Sequence, residues 1–268
     1  TAFNHPIVVA KQLATLDQLS NGRIGLNVVA GWNKPEYDAF GMDLPSDHSD
    51  RYAMAQEWFD YVTRLWREDS AFDWEGTFFR GKGVYGLPHP VQARVPVINA
   101  AASEEGRGFA MRNADFLFTP VFDFEQAKET VADIKQKSQS VGRDVQVLTF
   151  CTVVCRPTQK EAEEYLNWYA NEHADWEAVD NLMTLQGMHA QSFTKEALAM
   201  FRDRFAAGHG GFPLVGTPDH IADQLEKLSD TGVAGTTLSF VDYAKEFPYF
   251  RQEVLPRLEA RGLRLPVE

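Results

Sequence analysis

Two rhythms of apolar and polar positions alternate along this chain. From Pro6 to Leu19 the apolar residues Ile7, Val8, Leu13, Leu16 and Leu19 fall close to helical spacing, and Ser20-Asn21-Gly22 ends the run. Ile24 to Ala30 is a short apolar run of strand type with one amide, Asn27, inside it. An amide buried in such a strand needs partners, because an unpaired one costs about 1–3 kcal/mol. Either neighbouring backbone or a ligand must satisfy it. A polar loop with Trp32, Glu36 and Tyr37 follows. Ser46 to Ser49 offers several N-caps for a helix reaching about Glu68, with Tyr52, Ala55, Phe59, Val62, Leu65 and Trp66 on its apolar face.

The alternation continues. Phe72–Phe79 and Gly83–Leu87 form a small excursion with glycine-rich turns, and Pro96–Ala102 is a second strand of buried type. Glu104–Asn113 is a short helix, Phe116–Thr119 a strand, and Phe124–Val141 a helix ended by Gly142. Val145–Cys155 is a long apolar strand, followed by the capping-box pattern Thr158…Glu161. Residues 175–210 read as an irregular helical insertion without a clean strand. Thr217-Pro218 supplies an N-cap and first position for a helix through Leu228. Gly235–Val241 is the last strand and Glu246–Arg261 the last helix. Strand and helix thus alternate five times, and the strands lack clean two-residue alternation, as expected of parallel strands covered on both faces. A doubly wound sheet and a (β/α)₈ barrel both fit. No G-x-G-x-x-G follows a strand, which disfavours the dinucleotide-binding option. No linker composition interrupts the chain, so residues 1–268 read as one domain.

Composition narrows the chemistry. A net charge of −12 disfavours nucleic acid as a partner, and no run of about 18 apolar residues suggests a membrane span. Cys151 and Cys155, four apart on one strand, would lie roughly 13 Å from each other, too far for a disulfide. Two cysteines without a disulfide framework suit a reducing, cytoplasmic compartment. The seven histidines are scattered, so no metal site is expected, and no G-x-S-x-G elbow is present.

In parallel α/β folds ligands bind at the C-terminal ends of the strands. That rule selects Gly31, Trp32, Asn33 and Glu36, then Ala102, Ser103, Glu104 and Gly106, then Thr119-Pro120, then Phe240, Asp242 and Tyr243, with Arg51-Tyr52 opening the helix after the first loop. Ser103 reads either as the N-cap of a helix or as part of an anion site at that helix's N-terminus. Arg51 reads either as a solvated charge or as a ligand contact. Such a polar, aromatic, metal-free set suits an organic cofactor that brings its own reactivity.

The segments Ala14-Thr15-Leu16-Asp17-Gln18-Leu19-Ser20-Asn21-Gly22-Arg23, Leu26-Asn27-Val28-Val29-Ala30-Gly31-Trp32 and His48-Ser49-Asp50-Arg51-Tyr52 together resemble the bacterial luciferase-like flavin monooxygenases. Phe72-Asp73-Trp74-Glu75-Gly76 and Leu214-Val215-Gly216 extend the resemblance, and Gly31 to Asp38 is most similar to the pyrimidine branch, beside the dimethylsulfone and alkanesulfonate branches. The resemblance implies a TIM-type (β/α)₈ barrel, incomplete here, with about five βα units and the N-terminal three missing. It implies FMN bound through Asn27, Glu36, Arg51, Tyr52 and Ser103, with Arg51, Tyr52 and Ser103 toward the phosphate and Asn27 toward the isoalloxazine. Reduced FMN from a separate flavin reductase would then let dioxygen oxygenate a small organic substrate, with Trp32, Asp242 and Tyr243 on the substrate side. Homo-oligomers are expected. Phe150, Thr152, Val241 and Tyr243 stand where the alkanesulfonate enzymes carry Arg, His, Tyr and His, which argues against a sulfonate substrate. The alternatives are an F420-dependent hydride-transfer enzyme on the same barrel and a non-catalytic flavin-binding barrel.

Overall fold

His5 and Pro6 start the first helix, α1 (Pro6–Ser20): the His5 ring accepts the Ile7 N–H, and a proline in the first turn gives up no intrahelical bond. Asn21 ends it in the left-handed conformation at φ 54°. These residues belong to a computed structural model that describes residues 1–101, 103–186 and 194–266. The chain falls into two compact units, residues 1–117 with 137–145, and residues 118–136 with 146–268.

In the first unit α1 is followed by β1 (Leu26–Val28), α2 (Lys34–Ala39), α3 (His48–Leu65), the hairpin β2 (Phe72–Glu75) and β3 (Arg80–Val84), β4 (Val97–Ala100), α4 (Glu104–Asn113) and β5 (Phe116–Phe118), whose last residue belongs to the second unit. β1 and β4 run parallel, with Asn27 opposite Ile98. Leu26 and Val28 are buried and Asn27 is exposed, so the expected buried amide is corrected. With successive side chains on opposite faces, covering Leu26 and Val28 turns Asn27 to the open face of the pair. The strand is also shorter than the run Ile24–Ala30 suggested. Lys34–Ala39, expected to be loop, is helical, with Pro35 in its first turn.

The stripe expected on α3 is buried as read, through Ala55, Phe59, Val62 and Leu65, and Arg51 joins it. From the middle of α3, Glu57 fastens the hairpin turn: its carboxylate accepts the N–H groups of Thr77, Phe78 and Phe79 at 2.9–3.0 Å. Trp74 of β2 lies flat on Tyr61, ring centroids 4.5 Å apart.

Asp17 ties α1 to the segment before β4. It is fully buried, and its carboxylate accepts the Gln92 backbone N–H at 3.0 Å and the Gln92 side-chain amide at 2.8 Å. Burial alone would raise this carboxyl's pKa, but the hydrogen bonds from Gln92 outweigh it and hold the pKa below the usual value. Asp17→Asn is expected to cost about 1–3 kcal/mol, because an amide nitrogen then faces donors it cannot accept from. With the folded pKa depressed, the stabilisation is complete above the unfolded carboxyl pKa near 3.9 and disappears as pH falls through the folded value. The gap between wild type and variant in urea titrations should therefore close on acidification; a gap independent of pH would refute the assignment.

The second unit is built on β6 (Gln146–Cys155), after most of α5 (Phe124–Ser140). Then come α6 (Gln159–Asn167), a π-helical turn at Trp168–Glu172, α7 (Trp176–Leu185), α8 (Lys195–Gly208), β7 (Phe212–Gly216), α9 (Pro218–Asp230), β8 (Gly235–Ser239), α10 (Tyr243–Glu253) and α11 (Leu255–Ala260). β6 is parallel to both β7 and β8, with Cys151 opposite Phe212 and Leu238. The Thr158–Glu161 capping box forms in both directions. β7 is an additional parallel strand beyond the alternation read from the sequence. The last helix starts earlier than expected, capped by Asp242, and Pro256 in the first turn of α11 marks a break at Val254. α7 and α8 share a small core of Val179, Met183 and Phe201, while residues 187–193 of the expected insertion lie outside the described residues. Cys151 and Cys155 are free and buried, their thiols pushed up to about 11 chiefly by burial, so they act as core residues.

Candidate cofactor site

β1 delivers the chain to Gly31, where φ is 104° and a Cβ would sit 2.2 Å from the Tyr37 hydroxyl. Only glycine meets both conditions. Tyr37 itself is buried, hydrogen-bonded from its hydroxyl to the Ala30 carbonyl at 3.4 Å, and its phenol pKa is raised by burial. It lies beneath the loop, against Gly31. Trp32, at the next position, is 46% exposed. Glu36 is exposed in the first turn of α2.

Asp47 caps α3 by accepting the Ser49 N–H, which places Arg51 and Tyr52 in the first turns. Arg51 is not a solvated surface charge. It is only 7% exposed and donates to the Gly31 carbonyl at 3.3 Å, while its Nε is buried and unbonded among the described residues. No carboxylate lies within ion-pair distance of it among the described residues. A buried cation in that state is costly until an anion or a polar ligand completes it. The Asn33 Oδ1 is likewise buried and unbonded among the described residues.

Tyr52 reaches the N-terminal turn of α4. A Cβ on Gly106 would meet the Tyr52 hydroxyl at 2.4 Å and the Ala101 methyl at 2.5 Å. Burial raises the Tyr52 phenol pKa, against the Asn99 amide and the Arg51 charge beside it. Ser103 caps α4 by accepting the Gly106 N–H at 3.2 Å, so the capping alternative is realised. Ala102, before it, lies outside the described residues. The structure thus brings Tyr52 and the Ser103 turn together, with Arg51 at the Gly31 loop. Asn27 stays on the open face of β1 and Glu36 at the surface.

Asn99 belongs with this set and was not singled out from the sequence. It is 1% exposed and donates its amide to the Val28 carbonyl at 2.7 Å, linking β4 to the end of β1. The signal was present: an amide inside an apolar strand, the argument already applied to Asn27. Gly106→Ala is expected to displace Tyr52 and cost about 1–3 kcal/mol, as for overpacking a tight contact. Thermal melting of the cofactor-free protein checks this, and an unchanged midpoint would show that Tyr52 moves aside freely.

In the second unit Asp242 uses its carboxylate as the N-cap of α10, accepting the Ala244 and Lys245 N–H groups, and pairs with the Lys245 ammonium at 2.9 Å. Its pKa is lowered chiefly by the Lys245 side chain. Tyr243 is 58% exposed and rests edge-on against Phe240. Phe150 stacks on Phe118, and the Thr152 hydroxyl donates to the Gly208 carbonyl at 3.1 Å. Neither position supplies a cation.

Parallel strands followed by a glycine loop, an arginine buried without a carboxylate partner among the described residues, and a capped helix N-terminus make an α/β arrangement suited to an anionic organic cofactor. The model of the luciferase-like monooxygenases matches residues 1–235, through both units, and the chain belongs to that family. It is 32% identical over 271 residues to an FMNH2-dependent dimethylsulfone monooxygenase of Pseudomonas fluorescens, covering 96% of this chain and 72% of that one. It is 30% identical over 264 residues to a pyrimidine monooxygenase of Acinetobacter baylyi, covering 96% and 70%. Among solved structures it superposes on a long-chain alkane monooxygenase with a TM-score of 0.83 at 25% identity, covering 99% of this chain and 69% of that one. The two sequence relatives act on different compounds at almost equal identity, so overall likeness selects no substrate. No helix among the described residues is long and apolar enough to cross a membrane.

Proposed function

We propose that this protein is an FMNH2-dependent monooxygenase that uses dioxygen to oxygenate a small organic substrate. The observation that carries the reading is Arg51, buried, bonded once to the Gly31 carbonyl and without an anionic partner among the described residues. A flavin phosphate supplies the missing anion, and Arg51 is in turn suited to it by its planar, multiply donating guanidinium. The family membership and the FMNH2-dependent relatives support the same cofactor.

In this reading Arg51, Tyr52 and Ser103 hold the phosphate end. Asn27 offers its amide to the isoalloxazine from the open face of β1, and Glu36 lies beside the same loop. Reduced FMN, when bound, supplies the electrons that activate dioxygen; the residues of this chain bind, orient and exclude water. Trp32 of the first unit and, separately, Tyr243 of the second are proposed as substrate contacts. Asp242 of the second unit is proposed as well, with its carboxylate occupied by the α10 cap and Lys245. A separate flavin reductase that delivers reduced FMN, self-association and a cytoplasmic location complete the proposal.

The test is anaerobic titration of reduced FMN into the protein, then exposure to ¹⁸O-labelled dioxygen with dimethylsulfone, uracil and a long-chain alkane as probes. Label in a product of one probe, dependent on both FMN and protein, is the expected result. Tight binding of F420 with no uptake of dioxygen would replace the proposal with a hydride-transfer enzyme. Flavin binding with no labelled product from any probe would favour a non-catalytic flavin barrel.

A further inference from the structure

The second unit holds a cavity of about 860 Å³ lined by Asp242 and Tyr243, which the proposed function assigns to the substrate, and by no residue of the proposed cofactor set, so the inference rests on that reading and names the chemistry of the ligand. Its rim comes from the end of β6, from α6 with its π-helical turn, and from the first turns of α10. We propose that this cavity binds an uncharged, planar organic molecule between the rings of Tyr165, Trp168, Tyr243 and Tyr249.

The first argument is charge. Of the two cations lining the cavity, Arg156 and Lys245, Arg156 is the less exposed and has both terminal nitrogens engaged. It donates to Glu246 at 2.7 Å and to the Cys155 carbonyl at 2.8 Å, and its guanidinium lies over the Tyr165 ring at 3.9 Å. The other Glu246 oxygen accepts the Val241 and Asp242 N–H groups at 3.1 and 3.4 Å. Lys245 and Asp242, also on the rim, pair with each other at 2.9 Å, with the lysine side chain 85% exposed in solvent. A charged ligand therefore loses water and gains no unpaired counter-charge inside.

The second argument is the wall. Trp168 is 48% exposed, Tyr243 58% and Val241 49%, all bordering one concavity. Apolar surface gathered in this way, with a volume inside the usual range for small-molecule pockets, marks a binding site more than scattered exposure does. The third argument is backbone. Trp168 begins the π-helical turn Trp168–Glu172, and its ring stacks on Tyr165 with centroids 5.8 Å apart. Such single π turns interrupt α-helices mostly at functional sites, because the extra residue re-aims a side chain. Here it aims an indole at the cavity.

The experiment uses the full chain without flavin, so its outcome is independent of the cofactor reading. Calorimetric titration with 2-naphthol should show binding at one site per chain. Trp168→Ala should weaken it about tenfold or more through loss of ring stacking and apolar contact. The melting temperature should hold, since Trp168 is half exposed. Tyr243→Ala, at an even more exposed position, should weaken it as well. Naphthalene-2-sulfonate, of like shape but anionic, should bind about tenfold more weakly or worse. Addition of FMN should leave the naphthol affinity unchanged. Equal affinity for the sulfonate, competition by FMN, absence of binding, or binding indifferent to both substitutions would each overturn the proposal.

Discussion

Arg51→Ala should weaken FMN binding by about 1–3 kcal/mol, roughly 5- to 150-fold in Kd, as for loss of a charge-assisted hydrogen bond. The wild-type guanidinium is buried, with its Nε unbonded, so burial has already stripped the group of water before the cofactor arrives. Arg51→Lys should recover only part of the loss, because an ammonium is a point charge without the fork that matches a phosphate. Ser103→Ala should fall at the lower end of the same range. Its hydroxyl accepts the Gly106 N–H at 3.2 Å, and losing a cap also costs helix stability. Equilibrium titration of oxidised FMN, read by flavin fluorescence, measures all three. Melting the empty proteins separates lost affinity from lost fold. Wild-type affinity in Arg51→Ala would return that residue to a purely structural role.

Glu246→Ala should destabilise the protein by about 3 kcal/mol. Glu246 is 8% exposed and binds Arg156 at 2.7 Å, so removing it leaves a largely buried cation with a carbonyl and a ring as its recorded partners among the described residues. Breaking one side of a buried pair costs about 3–5 kcal/mol, and the partial exposure of Arg156 places this case at the lower bound. The same substitution releases the Val241 and Asp242 N–H groups that fix the turn after β8. Urea titration checks the magnitude. A double variant, Arg156→Met with Glu246→Ala, should cost less than the sum of the two single changes. A loss below about 1 kcal/mol for Glu246→Ala would mean that water reaches the pair freely.

Much of the local structure was legible because chemistry fixes it within a few residues. α4 was read as Glu104–Asn113 and lies there, since Ser103 is a cap with a glycine three residues on to donate to it. Thr158 and Glu161 announced α6 in the same way. β7 was missed because Pro213 interrupts a run of only five residues flanked by glycines, a pattern that argues for a turn unless a neighbouring strand is known. α2 is hard to read from sequence because it is six residues long and polar, although Pro35 in its first turn is a helix-start signal.

The site was legible in residue type and not in burial. Period 3.6 placed Tyr52 on the inner face of α3 but could not say that Arg51, one position earlier, is enclosed by the Gly31 loop. Asn27 was expected inside, yet a three-residue strand that covers Leu26 and Val28 must turn the residue between them outward. The aromatic cavity was invisible in sequence because its walls come from segments near residues 165 and 243 that only β6 and β8 bring together.

On the proposed reading, the charge of Arg51, without an anionic partner among the described residues, also makes the cofactor a folding partner. A ligand that completes the guanidinium binds the native state and not the unfolded one, so stability rises with its concentration as RT ln(1 + [L]/Kd), about 2.7 kcal/mol at a hundredfold excess over Kd. The empty chain should therefore melt higher in phosphate than in chloride at equal ionic strength, and higher again in FMN; identical midpoints in the three would refute the linkage. In a cell, where small changes in stability set how much protein escapes proteolysis, the abundance of this chain would follow the local supply of flavin.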